Sequence, residues 1–228
     1  TADRNFVHSI SSHNSSTAAI HYGIFTRSGN QLLTNNMIRL GIRSDGTSIT
    51  GSAQINGIYD GSSGSSSQTI KSYHNSVYIG GSSVVSGTVN TYAFRRNNGN
   101  ISPKTLHDIR NNIFVNNRSN TSGKGKHYSI GYDSNNNLTS STEDYNVCYG
   151  SGATYHLSVV NTTDCDTYAA LRTATGNSAY DANSAIGDPK FIDPTATNPN
   201  LHIQSPPVKT PIEGVGTASA TTTNDYDG

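Results

Sequence analysis

The chain of 228 residues contains no Trp, one Met and two Cys, and only 13% of its residues are charged. Its fifteen basic and fifteen acidic residues balance, and Lys and Arg form no run. Nucleic acid and anionic membranes are therefore poor candidates for a partner. The apolar stretches span a few residues each, which excludes insertion of a helix into a bilayer.

The two cysteines, Cys148 and Cys165, allow two interpretations. A disulfide bond between them would stabilise the fold by about 3 kcal/mol in the chain-entropy model. The polar, Lys-poor composition is typical of an extracellular protein and favours that bond, and the alternative is a pair of buried free thiols. Their spacing excludes a CxxC motif, and two thiols alone do not make a structural zinc site.

Ser, Thr, Asn and Gly make up nearly half of the chain, 32% of the residues are hydrophobic, and the mean hydropathy is -0.54. Such a composition resembles that of a disordered chain. However, the sequence has 13 Tyr and 5 Phe, and short β-branched and aromatic runs recur along it. These runs indicate an ordered β protein.

One apolar pair recurs at intervals of 39, 36 and 34 residues. The first members of the pairs are Ile38, Val77, Ile113 and Val147, and the second members are Leu40, Ile79, Val115 and Tyr149. Two residues separated by one position lie on the same face of a strand. The pattern predicts that the pairs face the core and that the residues between them face outward, namely Arg39, Tyr78, Phe114 and Cys148.

A second series keeps nearly the same period, with intervals of 34, 36 and 36. Its apolar members are Ile24, Ile58, Phe94 and Ile130, and each follows a small residue: Gly23, Gly57, Ala93 and Ser129. A column of small residues indicates that another segment approaches closely, and we expect a loop to do so.

Two strands or more in each repeat predict a solenoid rather than a propeller or a helical array. The predicted fold is an all-β right-handed parallel β-helix, with about five irregular coils of 34–39 residues in 1–165. Residues 166–228 would form a last coil and a cap, with a short helix that begins after Asp166 and ends at Gly176, and with two strands in "DPKFIDP" and "NLHIQS". Asn36, Asn75 and Asn111 would form an amide ladder that breaks or shifts at Tyr145, one residue before Asn146.

The phrases "NNMIRLG", "INGIYD", "YHNSVYIGG", "IRNNIFVNNRS", "GKHYSIGY", "DYNVCY", "TYAALRTATG" and "DPKFIDP" resemble those of parallel β-helix proteins secreted or displayed by Bacteroidetes. This resemblance implies an extracellular or cell-surface location, export by the type IX route, and a place in a longer polypeptide. The start at Thr1 also suggests a processed piece. The phrase "SPPVKTPIEGVG" departs from the pattern of these relatives, whereas "NDYDG" resembles their closing turn.

Enzymatic chemistry finds little support in the residues. A pectate lyase needs a base and usually clustered carboxylates, and a glycoside hydrolase needs a pair of carboxylates, yet the chain has two Glu. The acidic pair Asp164 and Asp166 is better explained by helix capping. Residues 133–144 begin like a Ca²⁺ loop, but Leu138 stands where glycine is needed, so a polar turn is the better interpretation. We expect no catalytic residue, metal or cofactor.

Outward aromatic side chains are the remaining candidates for binding. Tyr78 and Phe114 form one predicted column, Phe25 and Tyr59 form another, and Arg39 lies beside the first. The alternative is that a loop or the cap covers these rings. We expect a non-enzymatic structural or adhesive module whose partners are extracellular polysaccharides or surface proteins, and the alternative is a polysaccharide-binding or polysaccharide-degrading protein.

Overall fold

The computed structural model describes residues 1–12, 19–62, 67–82, 84, 87–97, 105–136, 138–204 and 209–218. Three stacks of parallel strands run along one axis, and each turn of the chain contributes one strand to each stack. The protein is therefore an all-β parallel solenoid, as predicted, with about 4 turns.

The strands are short and named here by sheet. Sheet A contains β1 (Ala2–Asp3), β4 (Gln31–Thr34), β7 (Gln68–Tyr73), β10 (Thr105–Arg110) and β13 (Thr142–Asp144). Sheet B contains β2 (Phe6–His8), β5 (Met37–Leu40), β8 (Ser76–Ile79), β11 (Ile113–Asn116), β14 (Val147–Tyr149) and β17 (Ala185–Ile186). Sheet C contains β3 (Ile20–Thr26), β6 (Gln54–Asp60), β9 (Thr91–Arg96), β12 (His127–Tyr132), β15 (Tyr155–Val160) and the antiparallel β16 (Thr163–Cys165).

The register of sheet B slips by one residue from the predicted one at a single step, between β8 and β11. Ile38 pairs with Val77 and Ile113 pairs with Val147 as predicted, but Val77 pairs with Phe114, and Phe114 pairs with Cys148. Phe114 and Cys148 are both 0% exposed and belong to the main core, so the prediction that they face outward is wrong. A slip of one residue exchanges the two faces of a strand.

A continuous asparagine ladder fixes this register. It runs along the corner between sheets A and B through Asn5, Asn36, Asn75, Asn112 and Asn146. Each of the first four donates from its backbone N–H and its Nδ2 to Oδ1 of the next, at 2.8–3.1 Å. The predicted ladder is therefore present, but its fourth member is Asn112 rather than Asn111, and it does not break at Tyr145.

The residue before each ladder position has a left-handed backbone. Asn35, His74, Asn111 and Tyr145 have φ between 55° and 60°. Asparagine tolerates this conformation better than most residues, which explains why asparagine pairs mark two of these corners. Asn111 thus makes the turn, and Asn112 makes the ladder.

Sheet C has the predicted register. Ile24, Ile58, Phe94 and Ile130 pair in succession, and the small residues before them face the interior. A Cβ atom on Gly57 would lie 2.3 Å from Cγ1 of Val77 and 2.5 Å from the carbonyl oxygen of Ala93. The close approach therefore comes from sheet B across a narrow core, and not from a loop.

Buried polar groups occupy the interior where sheet C leads to sheet A. The carboxylate of Asp60 accepts hydrogen bonds from Thr26 at 3.1 Å, from the backbone and hydroxyl of Ser62, and from Nε2 of His107 at 2.6 Å. Burial lowers the pKa of His107 to about 4, so this imidazole is neutral at pH 7 and donates one proton to the bond. Four donors compensate the buried carboxylate for the loss of water.

The C-terminal part closes the solenoid and covers sheet B. Helix α1 (Tyr168–Thr175) begins at Thr167, whose side chain caps it, and ends at Gly176 with φ 68°, so the predicted cap Asp166 is wrong by one residue. The predicted strands are β18 (Phe191–Asp193) and β19 (Asn200–Ile203), which form a hairpin. Among the described residues, no helix is long and apolar enough to cross a membrane.

The two cysteines are separate thiols, so the expected disulfide bond is absent from the structure. Cys148 lies on β14 of sheet B, and Cys165 lies on β16 at the edge of sheet C, 0% and 1% exposed. Burial raises the pKa of both thiols, with Asp181 adding to the effect at Cys148 and Asp164 at Cys165. Both cysteines belong to the main hydrophobic core, on strands of different sheets.

Buried thiols of raised pKa react slowly with thiol reagents. We expect the native protein to show almost no reaction with Ellman's reagent within minutes, and to release two equivalents once it is unfolded in urea without a reductant. Zero equivalents in urea would show that the bond forms after all.

Candidate functional site

Three aromatic rings form a platform on the outer face of sheet C. Tyr22 and Phe25 lie on β3, and Tyr59 lies on β6. The three ring centroids are 5.1–5.3 Å apart, and the ring planes are within 24° of parallel. Carbon atoms in contact are about 3.5–4.0 Å apart, so rings at these centroid distances are offset and leave part of each face uncovered. We call these three side chains the aromatic platform.

The strand register and one glycine position the aromatic platform. Phe25 pairs directly with Tyr59 across the sheet, so the two rings lie one above the other. A Cβ atom on Gly61 would lie 2.4 Å from Cε2 of Phe25 and 3.0 Å from Cε1 of Tyr59. The absence of a side chain on Gly61 leaves room for both rings to pack against the backbone there. Phe25 nevertheless remains 48% exposed.

Arg95 borders the platform on the next turn. Its guanidinium lies 5.3 Å from the ring centroid of Tyr59 and 4.8 Å from that of Tyr92. It donates to both carboxylate oxygens of Asp133 at 2.9 and 3.1 Å, and to Gln54 at 3.0 Å. Burial opposes its charge, but the hydrogen bonds to Asp133 and the charge of that carboxylate, together with Tyr92 and Tyr59, outweigh this effect and raise the pKa of Arg95. The bidentate pair leaves little uncompensated charge beside the platform.

Further stacked rings follow the platform toward the C-terminal end of sheet C, but these rings are buried. Tyr92 and Tyr128 stack at 5.3 Å, and His156 follows at 5.8 Å. The tyrosines are 6% and 2% exposed. The Tyr128 hydroxyl donates to Asp164, which also accepts from Lys126. Asp164 therefore anchors this part of the sheet surface and does not cap the helix.

One polar side chain beneath this surface has no partner. Asn56 lies on β6 between Tyr22 of β3 and Tyr92 of β9 in the pairing order. It is 0% exposed, and neither its Oδ1 nor its Nδ2 makes a hydrogen bond. Buried amides are nearly always bonded, so this one requires an explanation.

The candidates on sheet B are covered. Tyr78 is 6% exposed and meets Phe191 of the hairpin at 6.4 Å, edge to face. Arg39 is 0% exposed and donates to the carbonyl oxygens of Ile42 at 2.7 Å and Ala196 at 2.8 Å. Together with Phe114 in the core, these side chains are not accessible to a ligand. The alternative that the cap covers the outward rings is confirmed for Tyr78.

A half-open cavity of about 260 Å³ lies at the corner between sheets A and B, under the segment 209–218. Its polar lining includes Asn75 and Asn112, whose amides are already bonded within the ladder, and Asn111, which bonds Thr217 twice. The cavity is smaller than the roughly 300 Å³ of typical ligand pockets. Its three asparagine amides are therefore not free to bind a ligand.

Carboxylates are not arranged for catalysis in the described part of the chain. Glu143 and Asp181 come together, but each is 1% exposed and sealed from solvent. The described residues include no group of three His, Cys, Asp or Glu side chains that could hold a metal ion. In the segment 133–144, Asp133 is bonded to Arg95, and Asn137 lies outside the described residues.

Comparison of the chain with protein-family models, with curated proteins and with solved structures finds no match. The site must therefore be interpreted from its own geometry.

The structure brings Phe25 and Tyr59 together as predicted, whereas Tyr22 and Asn56 are not among the binding residues predicted from the sequence. A signal for them exists, because the residue before each small residue of the second series is Tyr22, Asn56, Tyr92 or Tyr128. These four residues are a column on the outer face of sheet C.

Proposed function

We propose that the protein is a non-enzymatic, extracellular adhesive module that binds a polysaccharide at the aromatic platform. The observation that carries the proposal is the set of three offset, nearly parallel rings with Phe25 half-exposed. Aromatic faces pack against the apolar faces of sugar rings, while flanking polar groups meet the hydroxyls. Gln54, Arg95 and Asp133 supply such groups at the border of the platform.

The spacing of the solenoid supports an extended chain as the ligand. Successive turns are separated by about 4.8 Å, the distance between neighbouring strands, which is close to the length of one sugar unit in an extended polysaccharide. A protein partner would need about 800 Å² on this side, far more than three rings provide. Extracellular location, and the kinship with secreted Bacteroidetes proteins that the repeat phrases suggest, belong to the same proposal.

The proposal predicts that loss of the rings weakens binding without unfolding the protein. Neither Phe25 nor Tyr59 belongs to the core. For the double substitution Phe25→Ala and Tyr59→Ala, we expect an affinity roughly 10- to 100-fold lower, since each stacked ring contributes about 0.5–1.5 kcal/mol. Isothermal titration against soluble neutral and acidic polysaccharides measures this change.

The matched control is Ile192→Ala, because Ile192 is 49% exposed, like Phe25, but lies on the hairpin over sheet B. It should bind as the unmodified protein does. The proposal fails if the unmodified protein binds no member of the panel, or if the double variant and the control bind equally well. Release of unsaturated or reducing ends from any polysaccharide would identify an enzyme instead.

A further inference from the structure

The unpartnered amide of Asn56 is a feature of the platform region that the fold does not explain. Ile55 and Gly57, its neighbours on β6, face the interior, and Asn56 faces the outer side with Tyr22 and Tyr92. Its two polar atoms form no hydrogen bond. A leucine would fill this place without an unsatisfied donor and acceptor, so the amide reduces the stability of the folded chain.

Arg95 is the movable part of the cover over this amide. Its guanidinium donates a hydrogen bond to Gln54 and lies over the ring of Tyr59, and these two residues flank Asn56 on β6. It also lies over the ring of Tyr92 on β9. The guanidinium therefore lies across the position of Asn56. Only side chains hold the Arg95 guanidinium in place, and its partner Asp133 is 29% exposed. A change in the Arg95 side-chain conformation would therefore uncover Asn56 without any change in the strands.

The chemistry of an amide selects the ligand. Oδ1 accepts one hydrogen bond and Nδ2 donates, which matches two neighbouring hydroxyl groups of a sugar ring. An acidic sugar would need an uncompensated cation, but Arg95 is paired with Asp133, and Lys126 is paired with Asp164. Arg95, the cation in contact with the platform, therefore offers no uncompensated charge to a uronate.

We infer that Asn56 is the specificity-determining residue of the platform and that it binds a pair of adjacent hydroxyls on a neutral saccharide, an inference that rests on the proposed function. The rings hold the apolar face of the sugar, and its hydroxyls reach the amide once the Arg95 side chain moves. A site built to bond hydroxyls discriminates strongly, because its buried polar groups stay unpaired with the wrong ligand.

The substitution Asn56→Leu tests this role with two readouts that move in opposite directions. We expect the melting temperature to rise by roughly 3–6 °C, because an apolar side chain replaces an unsatisfied amide. We expect the affinity for neutral hexasaccharides of β-1,4- or α-1,4-linked glucose, measured by calorimetry, to fall tenfold or more. A hexasaccharide of α-1,4-linked galacturonate should bind the unmodified protein at least tenfold more weakly than the better neutral one.

Failure of this inference differs from failure of the proposed function. If Phe25→Ala with Tyr59→Ala weakens binding but Asn56→Leu binds as tightly as the unmodified protein, the platform binds sugar and the role of Asn56 is wrong. A lower melting temperature for Asn56→Leu would show that the amide serves the fold, and tighter binding of galacturonate would overturn the ligand class. If the unmodified protein binds none of the hexasaccharides and none of the polysaccharides, the proposed function itself falls.

Discussion

Replacement of Asn112 by Ala is expected to lower the free energy of unfolding by about 4 kcal/mol. Oδ1 of Asn112 accepts from the backbone N–H and Nδ2 of Asn75, and its Nδ2 donates to the carbonyl oxygens of Ser72 and Arg110 and to Asn146. Each lost bond contributes about 1 kcal/mol, and each buried group left unpaired costs about 1–3 kcal/mol more. Urea denaturation followed by circular dichroism measures the change.

The neighbouring substitution Asn111→Ala is the matched control, because it tests the two possible registers against each other. Asn111 bonds Thr217 and has φ 60°, and alanine there should cost about 1–2 kcal/mol through its left-handed backbone and the lost bonds. If Asn111→Ala destabilised the protein as much as Asn112→Ala, the ladder described here would be wrong.

The second large effect concerns the buried pair Glu143 and Asp181, where the last turn meets the cap. Glu143 accepts from the Tyr132 hydroxyl, and Asp181 accepts through Oδ1 from Ser184 and Asn146. Oε1 of Glu143 and Oδ2 of Asp181 have no other partner. Burial raises the pKa of both carboxyls, that of Asp181 to about 6, so that both bind protons in weak acid and the pair loses a proton as the pH rises through 6.

The sign of the pH effect follows from the direction of this shift. Because the folded pKa of Asp181 lies above its ordinary value of 3.8, the pair favours the folded state most below pH 4, and this contribution is lost as the pH rises through 6. Two pKa units correspond to about 3 kcal/mol. His107 and His127 act in the opposite direction, because burial lowers the pKa of each to about 4.

Asp181→Asn isolates the contribution of the acid pair. The amide can donate a hydrogen to Glu143 at every pH, and the φ of 48° at this position suits asparagine. We expect the variant to be more stable than the unmodified protein by about 3 kcal/mol at pH 7.5 and equally stable near pH 4. The comparison at each pH cancels the histidine contributions.

Urea denaturation from pH 4 to 8 measures the difference, with Asp193→Asn on the exposed hairpin as the control. A difference between Asp181→Asn and the unmodified protein that stays constant with pH would contradict the raised pKa of Asp181. So would a variant that is less stable than the unmodified protein at pH 7.5.

The fold could be predicted because the chain repeats itself. Two apolar series of nearly equal period are enough to indicate stacked parallel strands, and the second series gave the register of sheet C correctly. In sheet B the apolar residues alone do not define the register, because Ile113 and Phe114 are both large and apolar and either could face the core. The asparagine before them is the better mark, since only one residue in each turn can continue a ladder of amides.

Contacts between distant parts of the chain limit how much of the site can be predicted from the sequence. Tyr78 and Arg39 are covered by a hairpin more than a hundred residues later, and no local pattern reveals that cover. Phe25 and Tyr59 were predicted as neighbours because they occupy equivalent places in adjacent repeats. Asn56 could not be predicted as a site residue, because the chain contains many asparagines and only the structure shows that this amide has no hydrogen-bond partner.

The binding surface itself can be located by one measurement. The protein is labelled with ¹⁵N and titrated with the hexasaccharide of highest affinity, and amide chemical shifts are followed by nuclear magnetic resonance. We predict that the largest shifts fall on β3, β6 and β9, at and around Phe25, Asn56, Tyr59 and Arg95. Shifts concentrated at the corner cavity near Asn111, or on the hairpin over sheet B, would contradict the platform as the binding site.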